Sequence, residues 1–136
     1  MNPKRLFVPP LTLLALLWLP GTVLGALALN TFQPVAHQGP DGRTVVVHAV
    51  LGCTEGELYQ LRVRLNQRST ATLASGRAHG FCTGEREAFT VRLRVLPGHG
   101  RLEPGDVRAV GLVTTRDLDG REVTDAHQWQ KDLQIE

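Results

Sequence analysis

The sequence predicts an all-β domain, folded as an antiparallel β-sandwich of six or seven strands behind an N-terminal signal helix. After residue 28, apolar and polar residues alternate with a period of two along most of the chain, and no stretch has a convincing helical period. Pairs of Gly, Pro and Asp residues mark turns between the alternating runs. Short strands separated by regular turn signals are typical of two packed sheets.

Residues 1–28 have the organisation of an export signal. Lys4 and Arg5 form a positive amino-terminal region, residues 11–19 form an apolar core, and Pro20-Gly21 ends that core. Small residues then offer two cleavage registers, at residues 23–25 and 26–28. The leader is therefore predicted to be a signal peptide.

An uncleaved signal anchor is the alternative interpretation of the leader. Residues 6–29 are numerous enough to cross a bilayer, which takes roughly 20 apolar residues in a helix. Prolines interrupt this run, so the sequence favours cleavage. Under either interpretation, residues 29–136 form one domain outside the cytoplasm.

The alternating runs place the strands along this domain. The predicted strands cover residues 29–35, 44–52, 59–66, 71–81, 89–95, 107–113 and 129–135. In the second run, Val45, Val47, Ala49 and Leu51 share the apolar face. The run at 107–113 is apolar on both faces, which predicts a central strand, and Asp119-Gly120 is the best signal for a hairpin turn.

The charge balance argues against a nucleic-acid partner. The whole chain has 15 basic and 13 acidic residues, and Lys4 and Arg5 belong to the leader, so 13 basic residues remain in the exported part. A domain that is close to neutral lacks the main driving force for binding a nucleic acid. Lys131 is the only lysine among the remaining basic residues, and the others are arginines.

Cys53 and Cys82 are the only cysteines. An even pair in an oxidising compartment predicts one disulfide bond. A reactive or metal-binding pair is the alternative, but the C-x-x-C spacing is absent, and the 28 residues between them suit a link between strands.

A set of short motifs gives the sequence a familiar layout. They are Val45-Val46-Val47, Cys53-Thr54-Glu55-Gly56, Gln67, Gly76, Cys82-Thr83-Gly84, Leu102-Glu103-Pro104-Gly105 and Trp129. With this layout, most of residues 44–135 resembles small exported bacterial immunoglobulin-like domains of unknown function. The resemblance implies an immunoglobulin-like sandwich with one disulfide and no activity. The chain departs from antibody-type domains, because no Trp follows Cys53 on the expected strand and no Tyr precedes Cys82 by two residues.

No motif predicts catalysis, a metal site or a cofactor. The histidines lack the H-x-H and H-x3-H spacings of metal ligands. The carboxylates of residues 117–125 do not fit a calcium loop, and Ala74-Ser75-Gly76 is not a nucleophile elbow. We therefore predict no catalytic or metal-binding residues.

The arginines are the most informative surface residues. Arg62 and Arg64 should point the same way from one strand, and Arg92 and Arg94 from another. If the two strands share a sheet, these four side chains line one face and suit an anionic partner. A solvated outer face whose arginines pair with nearby Glu residues explains the same pattern.

The sequence therefore predicts an exported, non-catalytic binding or interaction module, secreted or periplasmic, that uses no cofactor. Its expected partner is a protein or an anionic envelope polymer, not a nucleic acid, and the membrane only if the leader stays uncleaved. The alternative is a small carrier of a ligand or metal. Such a carrier would use the gap between the two sheets or the loops around His79, His99 and His127.

Overall fold

The computed structural model describes residues 30–136, and the signal helix predicted for residues 1–28 lies outside them. Eight strands make up the fold: β1 (Thr31–Phe32), β2 (Val35–Gln38), β3 (Thr44–Leu51), β4 (Leu58–Gln67), β5 (Thr72–Phe81), β6 (Glu87–Val95), β7 (Gly105–Arg116) and β8 (Val123–Ile135). Within this part of the chain, no helix is long and apolar enough to cross a membrane.

All eight strands belong to one sheet that closes on itself. The strand order is β1-β3-β2-β8-β7-β4-β5-β6, and β6 pairs again with β3. Seven strands therefore form a barrel, and β1 adds to the edge of β3. Every pairing is antiparallel except that of β2 with β8, which is parallel and joins Val35 to Gln134 and Ala36 to Ile135.

The prediction of an immunoglobulin-like sandwich is wrong, because the strands form one closed barrel and not two packed sheets. Strands in barrels and in sandwiches both alternate between buried and exposed residues, so alternation does not separate the two architectures. The difference depends on long-range pairing. The contacts that close the barrel run along the whole of β3 and β6, from Thr44 opposite Arg94 to Leu51 opposite Glu87.

Most of the strands agree closely with the alternation, but β8 begins at Val123, well before the predicted start at residue 129. Val45, Val47, Ala49 and Leu51 of β3 are all buried, as predicted. The predicted strand at 29–35 contains β1, and it breaks at Pro34 as expected, but β2 begins at Val35 and continues to Gln38, beyond the predicted strand. Strand β7 has a neighbour on each side, β4 and β8, but so does every strand of the closed barrel, and its outward Leu112 is exposed, so β7 is not the covered central strand that was predicted.

Aromatic rings fill the barrel where β1 meets β8. The rings of Phe32 and Trp129 lie 5.1 Å apart between centroids. Trp129 lies directly opposite Gly111 of β7, and a Cβ atom added there would come within 2.5 Å of the indole ring. Gly111 therefore leaves the space that the indole occupies.

Leu102 closes the end of the barrel that is farther from the cysteines. Its side chain is 1% exposed, and its amide donates to the carbonyl oxygen of Gly42. The neighbouring Glu103 is held by Gln67, whose Nε2 donates to the Glu103 carbonyl at 2.7 Å. The Oε1 atom of Gln67 accepts from the Glu103 amide at 2.9 Å, so both ends of this buried amide are satisfied.

The predicted disulfide between Cys53 and Cys82 is confirmed, with Cα atoms 5.4 Å apart. It joins the chain just after β3 to the chain just after β5, and β6 lies between these two strands in the sheet. Backbone hydrogen bonds support the link, since Cys82 donates to Glu57 and Gly84 donates to Cys53. We call this end of the barrel the disulfide end.

Tyr59 is buried near the disulfide end and packs on Phe89, with ring centroids 5.0 Å apart. Burial, with a smaller contribution from the nearby Glu87 carboxylate, raises the pKa of the phenol above 10.0. An unfolded chain then loses the phenolic proton at a lower pH than the folded chain does. The contribution of Tyr59 to the free energy of unfolding is therefore complete below about pH 10 and is lost as the pH rises above it.

At neutral pH, we expect Tyr59→Phe to unfold at the same denaturant concentration as the wild type or at a lower one. Above about pH 10, the variant should lose less stability than the wild type does. Because Tyr59 is the only tyrosine, phenolate absorbance during an alkaline titration reports this residue alone. An ordinary pKa for the phenol in the folded protein, or equal alkaline losses in both proteins, would contradict the prediction.

Candidate functional site

The outer wall formed by β4, β5 and β6 carries a group of exposed arginines. Strand β5 pairs with β4 on one side and with β6 on the other. The alternate residues of β4 and β6 fill the barrel, so the arginines between them project outward. The exposed set, which we call the Arg face, comprises Arg62, Arg64, Arg77, Arg92 and Arg94. The four arginines predicted from the sequence thus share one wall.

Arg77 is the member that the sequence analysis missed. It lies on β5 directly opposite Arg62 of β4. Residues 71–81 have a weaker alternating pattern than the neighbouring runs, and this obscures the outward position of Arg77. The spacing of Leu73, Ser75 and Arg77 is the signal that could have placed Arg77 outward.

Strand register spaces the charges of the Arg face. Arg64, Ser75 and Arg94 occupy one row across three strands. Adjacent strands lie about 4.8 Å apart, so the Cα atoms of Arg64 and Arg94 are roughly 10 Å apart. Along β4, Arg62 and Arg64 are separated by about 7 Å, the rise of two residues. The wall therefore presents cations at intervals of about 5–10 Å in both directions.

No carboxylate compensates the Arg face. The three strands contain a single acidic residue, Glu87, which is the first residue of β6 and accepts a hydrogen bond from Thr83. Within residues 30–136, none of the five arginines of the face forms an ion pair. On another part of the wall, by contrast, Arg108 pairs with Asp132 at 3.1 Å. Pairing with nearby Glu residues therefore does not explain these arginines.

Most of the acidic residues lie in the loops or strand ends at the disulfide end. They are Glu55, Glu57, Glu85, Glu87, Asp117, Asp119, Glu122 and Asp125. The near-neutral total charge of the domain thus hides a separation of charge, with cations on one wall and carboxylates around one end. A separation of this kind produces a local positive potential even when the net charge is small.

A depression of about 210 Å³ borders the Arg face between β4 and β7. It is lined by Gln60, Arg62, Leu112, Thr114 and Arg116. We call it the outer depression. Gln60 lies opposite Thr114, and Arg62 lies opposite Leu112, which is 37% exposed. Leu112 is thus an apolar side chain beside Arg62 at one end of the depression, and polar side chains line the rest of it.

The three histidines considered for a carrier do not meet. His79 lies on the outer side of β5, His127 faces inward from β8, and His99 lies in the loop between β6 and β7. His127 stacks on Trp129, and His99 Nδ1 lies 3.3 Å from the carbonyl oxygen of Ala71. The other expected location, a gap between two sheets, does not exist in a closed barrel.

The described part of the chain also lacks any group of three or more His, Cys, Asp or Glu residues arranged to hold a metal ion. Two carboxylates of residues 117–125, one in the β7–β8 turn and one near the start of β8, accept hydrogen bonds from the local backbone. Asp117 accepts from the amide of Arg121 at 3.0 Å, and Asp125 accepts from the amide of Ala126 at 2.8 Å. Such bonds are typical of Asp residues in turns.

The fold and the wall define a disulfide-bonded, seven-stranded barrel with an Arg face that its own carboxylates do not neutralise. Comparison with protein-family models finds no match to this chain, and comparison with curated proteins finds none either.

Proposed function

We propose that this protein is an exported, non-catalytic binding module whose Arg face binds an anionic polymer of the cell envelope or the surrounding medium. The observation that carries the proposal is the set of five outward arginines on adjacent strands without an acidic partner. Arg62 and Arg77 stand directly opposite each other. Like charges at such a position destabilise a sheet, and a bound anion relieves that repulsion.

The composition of the wall favours a polymer over a protein partner. Protein interfaces usually depend on aromatic anchors in a packed centre. On the outer side of β4–β6, the only exposed large apolar residue is Phe81, which lies at the disulfide end of β5. Guanidinium groups bind phosphate, sulfate and carboxylate groups through paired hydrogen bonds. A row of charges on a linear polymer matches this surface better than a folded partner does.

The proposed location rests on two observations. The leader has the pattern of an export signal. The disulfide is of a kind that persists outside the cytoplasm. An envelope or medium polymer is available to the protein in that compartment.

We expect the exported domain to bind dextran sulfate and not neutral dextran of equal length, with an affinity that falls steeply as NaCl rises. The variant Arg64→Glu/Arg94→Glu should weaken binding by about 100-fold at low salt, because two attractive contacts become repulsive. Isothermal titration calorimetry at several salt concentrations measures both effects.

The matched control is Arg68→Glu/Arg121→Glu, which reverses two exposed charges in turns at the two ends of the barrel, outside the Arg face. Its affinity for dextran sulfate should stay within about threefold of the wild-type affinity, since distant exposed charges are largely screened. Equal losses in the two double variants would refute a specific Arg face. Unfolding curves of both variants establish that the barrel is intact. Tighter binding of single-stranded DNA than of dextran sulfate would overturn the proposed class of partner.

A further inference from the structure

The outer depression is a second, more selective feature beside the Arg face. Arg62 and Arg116 lie at its two ends, and Gln60 and Thr114 lie opposite each other between them. A volume of about 210 Å³ holds roughly seven water molecules at about 30 Å³ each. It is therefore large enough for one small charged group with a short substituent.

The polar side chains of the depression have no partners of their own. In the described part of the chain, Gln60, Arg62, Thr114 and Arg116 form no side-chain hydrogen bond or ion pair. Thr114, Gln60 and Arg116 are nevertheless half-buried. No carboxylate lines the depression. These donors are thus available to an acceptor from outside.

The arrangement of donors selects among anions. A carboxylate has two coplanar oxygens, which a single guanidinium fork can satisfy. Arg62 and Arg116 approach the depression from opposite ends, and the Thr114 hydroxyl and the Gln60 amide add donors between them. A tetrahedral phosphate offers oxygens in several directions and can accept from both arginines together.

We propose that the outer depression binds the phosphate group of a phosphate ester, with a short carbon substituent resting on Leu112. The inference rests on the proposed function and deepens it, because it identifies phosphate as the charged group of the bound polymer. Arg62 belongs to both surfaces, so a polymer lying on the Arg face reaches the depression without a break. Arg116 contacts only the phosphate in the depression.

The test uses glycerol phosphate as the probe and glycerate, its carboxylate counterpart, as the comparison. In ¹⁵N–¹H spectra, glycerol phosphate should shift the amide signals of Leu112 and Thr114 more than those elsewhere. We expect glycerate to bind about tenfold more weakly, and Arg116→Gln to weaken glycerol phosphate by about tenfold, the loss of one charge-assisted contact. Arg68→Gln, which removes an exposed arginine from a different part of the wall, is the control and should change affinity less than twofold.

Equal affinity for the two probes, shifts spread over the whole surface, or equal effects of the two variants would overturn the phosphate site. Inorganic phosphate that shifts the same signals identifies free phosphate as a competing source of the ligand. If glycerol phosphate binds the depression but dextran sulfate does not bind the wild type, the phosphate site stands and the proposed polymer function fails. If dextran sulfate binds the wild type but glycerol phosphate does not shift the amide signals of Leu112 and Thr114, the polymer function stands and the phosphate site fails.

Discussion

Removing the disulfide, by replacing Cys53 and Cys82 together with alanine, should lower the free energy of unfolding by about 3–4 kcal/mol. The two cysteines are 29 positions apart. In the unfolded chain, the bond restricts a loop of this length and raises the free energy of the unfolded state relative to the folded one. A loss of this size is a large share of the stability of an ordinary domain.

Urea unfolding of the oxidised protein, the reduced protein and the Cys53→Ala/Cys82→Ala variant measures the loss. The reduced protein and the variant should unfold at similar urea concentrations. A reductant should have no effect on the variant, which serves as the control for other actions of the reagent. An unchanged unfolding midpoint in the variant would show that the disulfide does not stabilise the barrel.

Gly76→Ala should lower the free energy of unfolding by about 3 kcal/mol, at the upper end of the range for an overpacked site. A Cβ atom at this position would lie 2.4 Å from the carbonyl oxygen of Arg92. The atom that it meets belongs to the backbone of β6, so a side-chain rotation cannot relieve the contact. Relief requires β5 to move away from β6.

The position of Gly76 makes this movement costly. Strands β5 and β6 pair only through Ala74 with Val95 and Ser75 with Arg94. Gly76 follows these residues directly, so a shift there disturbs the pairing that continues the wall between β5 and β6. The shift would also separate Arg77 of β5 from the arginines of β6 and so disturb the Arg face.

The control for Gly76→Ala is Gly100→Ala, in the loop between β6 and β7. The nearest atom to a Cβ at Gly100 is the Thr72 hydroxyl oxygen at 4.0 Å, an ordinary contact distance. Its stability should stay close to that of the wild type or rise by a few tenths of a kcal/mol, as at other compatible glycines. Thermal and urea unfolding of both variants measure the difference. Similar losses at the two glycines would contradict the role assigned to Gly76.

Alternation along the chain was enough to predict most strand positions and the buried face of β3. These features depend on neighbouring residues, which a sequence displays directly. The disulfide could be predicted because the chain has only two cysteines. Closure of the barrel could not, since it depends on β3 pairing with β6 and on β2 meeting β8. A local pattern of residues does not show which distant strands pair.

The candidate site divides in the same way. The outward direction of Arg62, Arg64, Arg92 and Arg94 follows from the period of the strand, but their position on one wall requires the strand order. The position of Arg77 opposite Arg62 depends on the register between β4 and β5. The outer depression also depends on the register of β7, which brings Arg116 toward Gln60. Neither register is visible in the sequence.

The parallel pairing of β2 with β8 has a consequence for the order in which the chain assembles. Val35 of β2 pairs with Gln134 of β8, and the amine of Lys131 on β8 also donates to the carbonyl oxygen of Phe32 on β1, across a separation of 99 residues. By contrast, β4 and β5 are joined by a short turn and pair along their full length. Contacts that close long loops form slowly, and local ones form early. The hairpin that bears Arg62 and Arg77 is therefore expected to form before the seam between β2 and β8 closes.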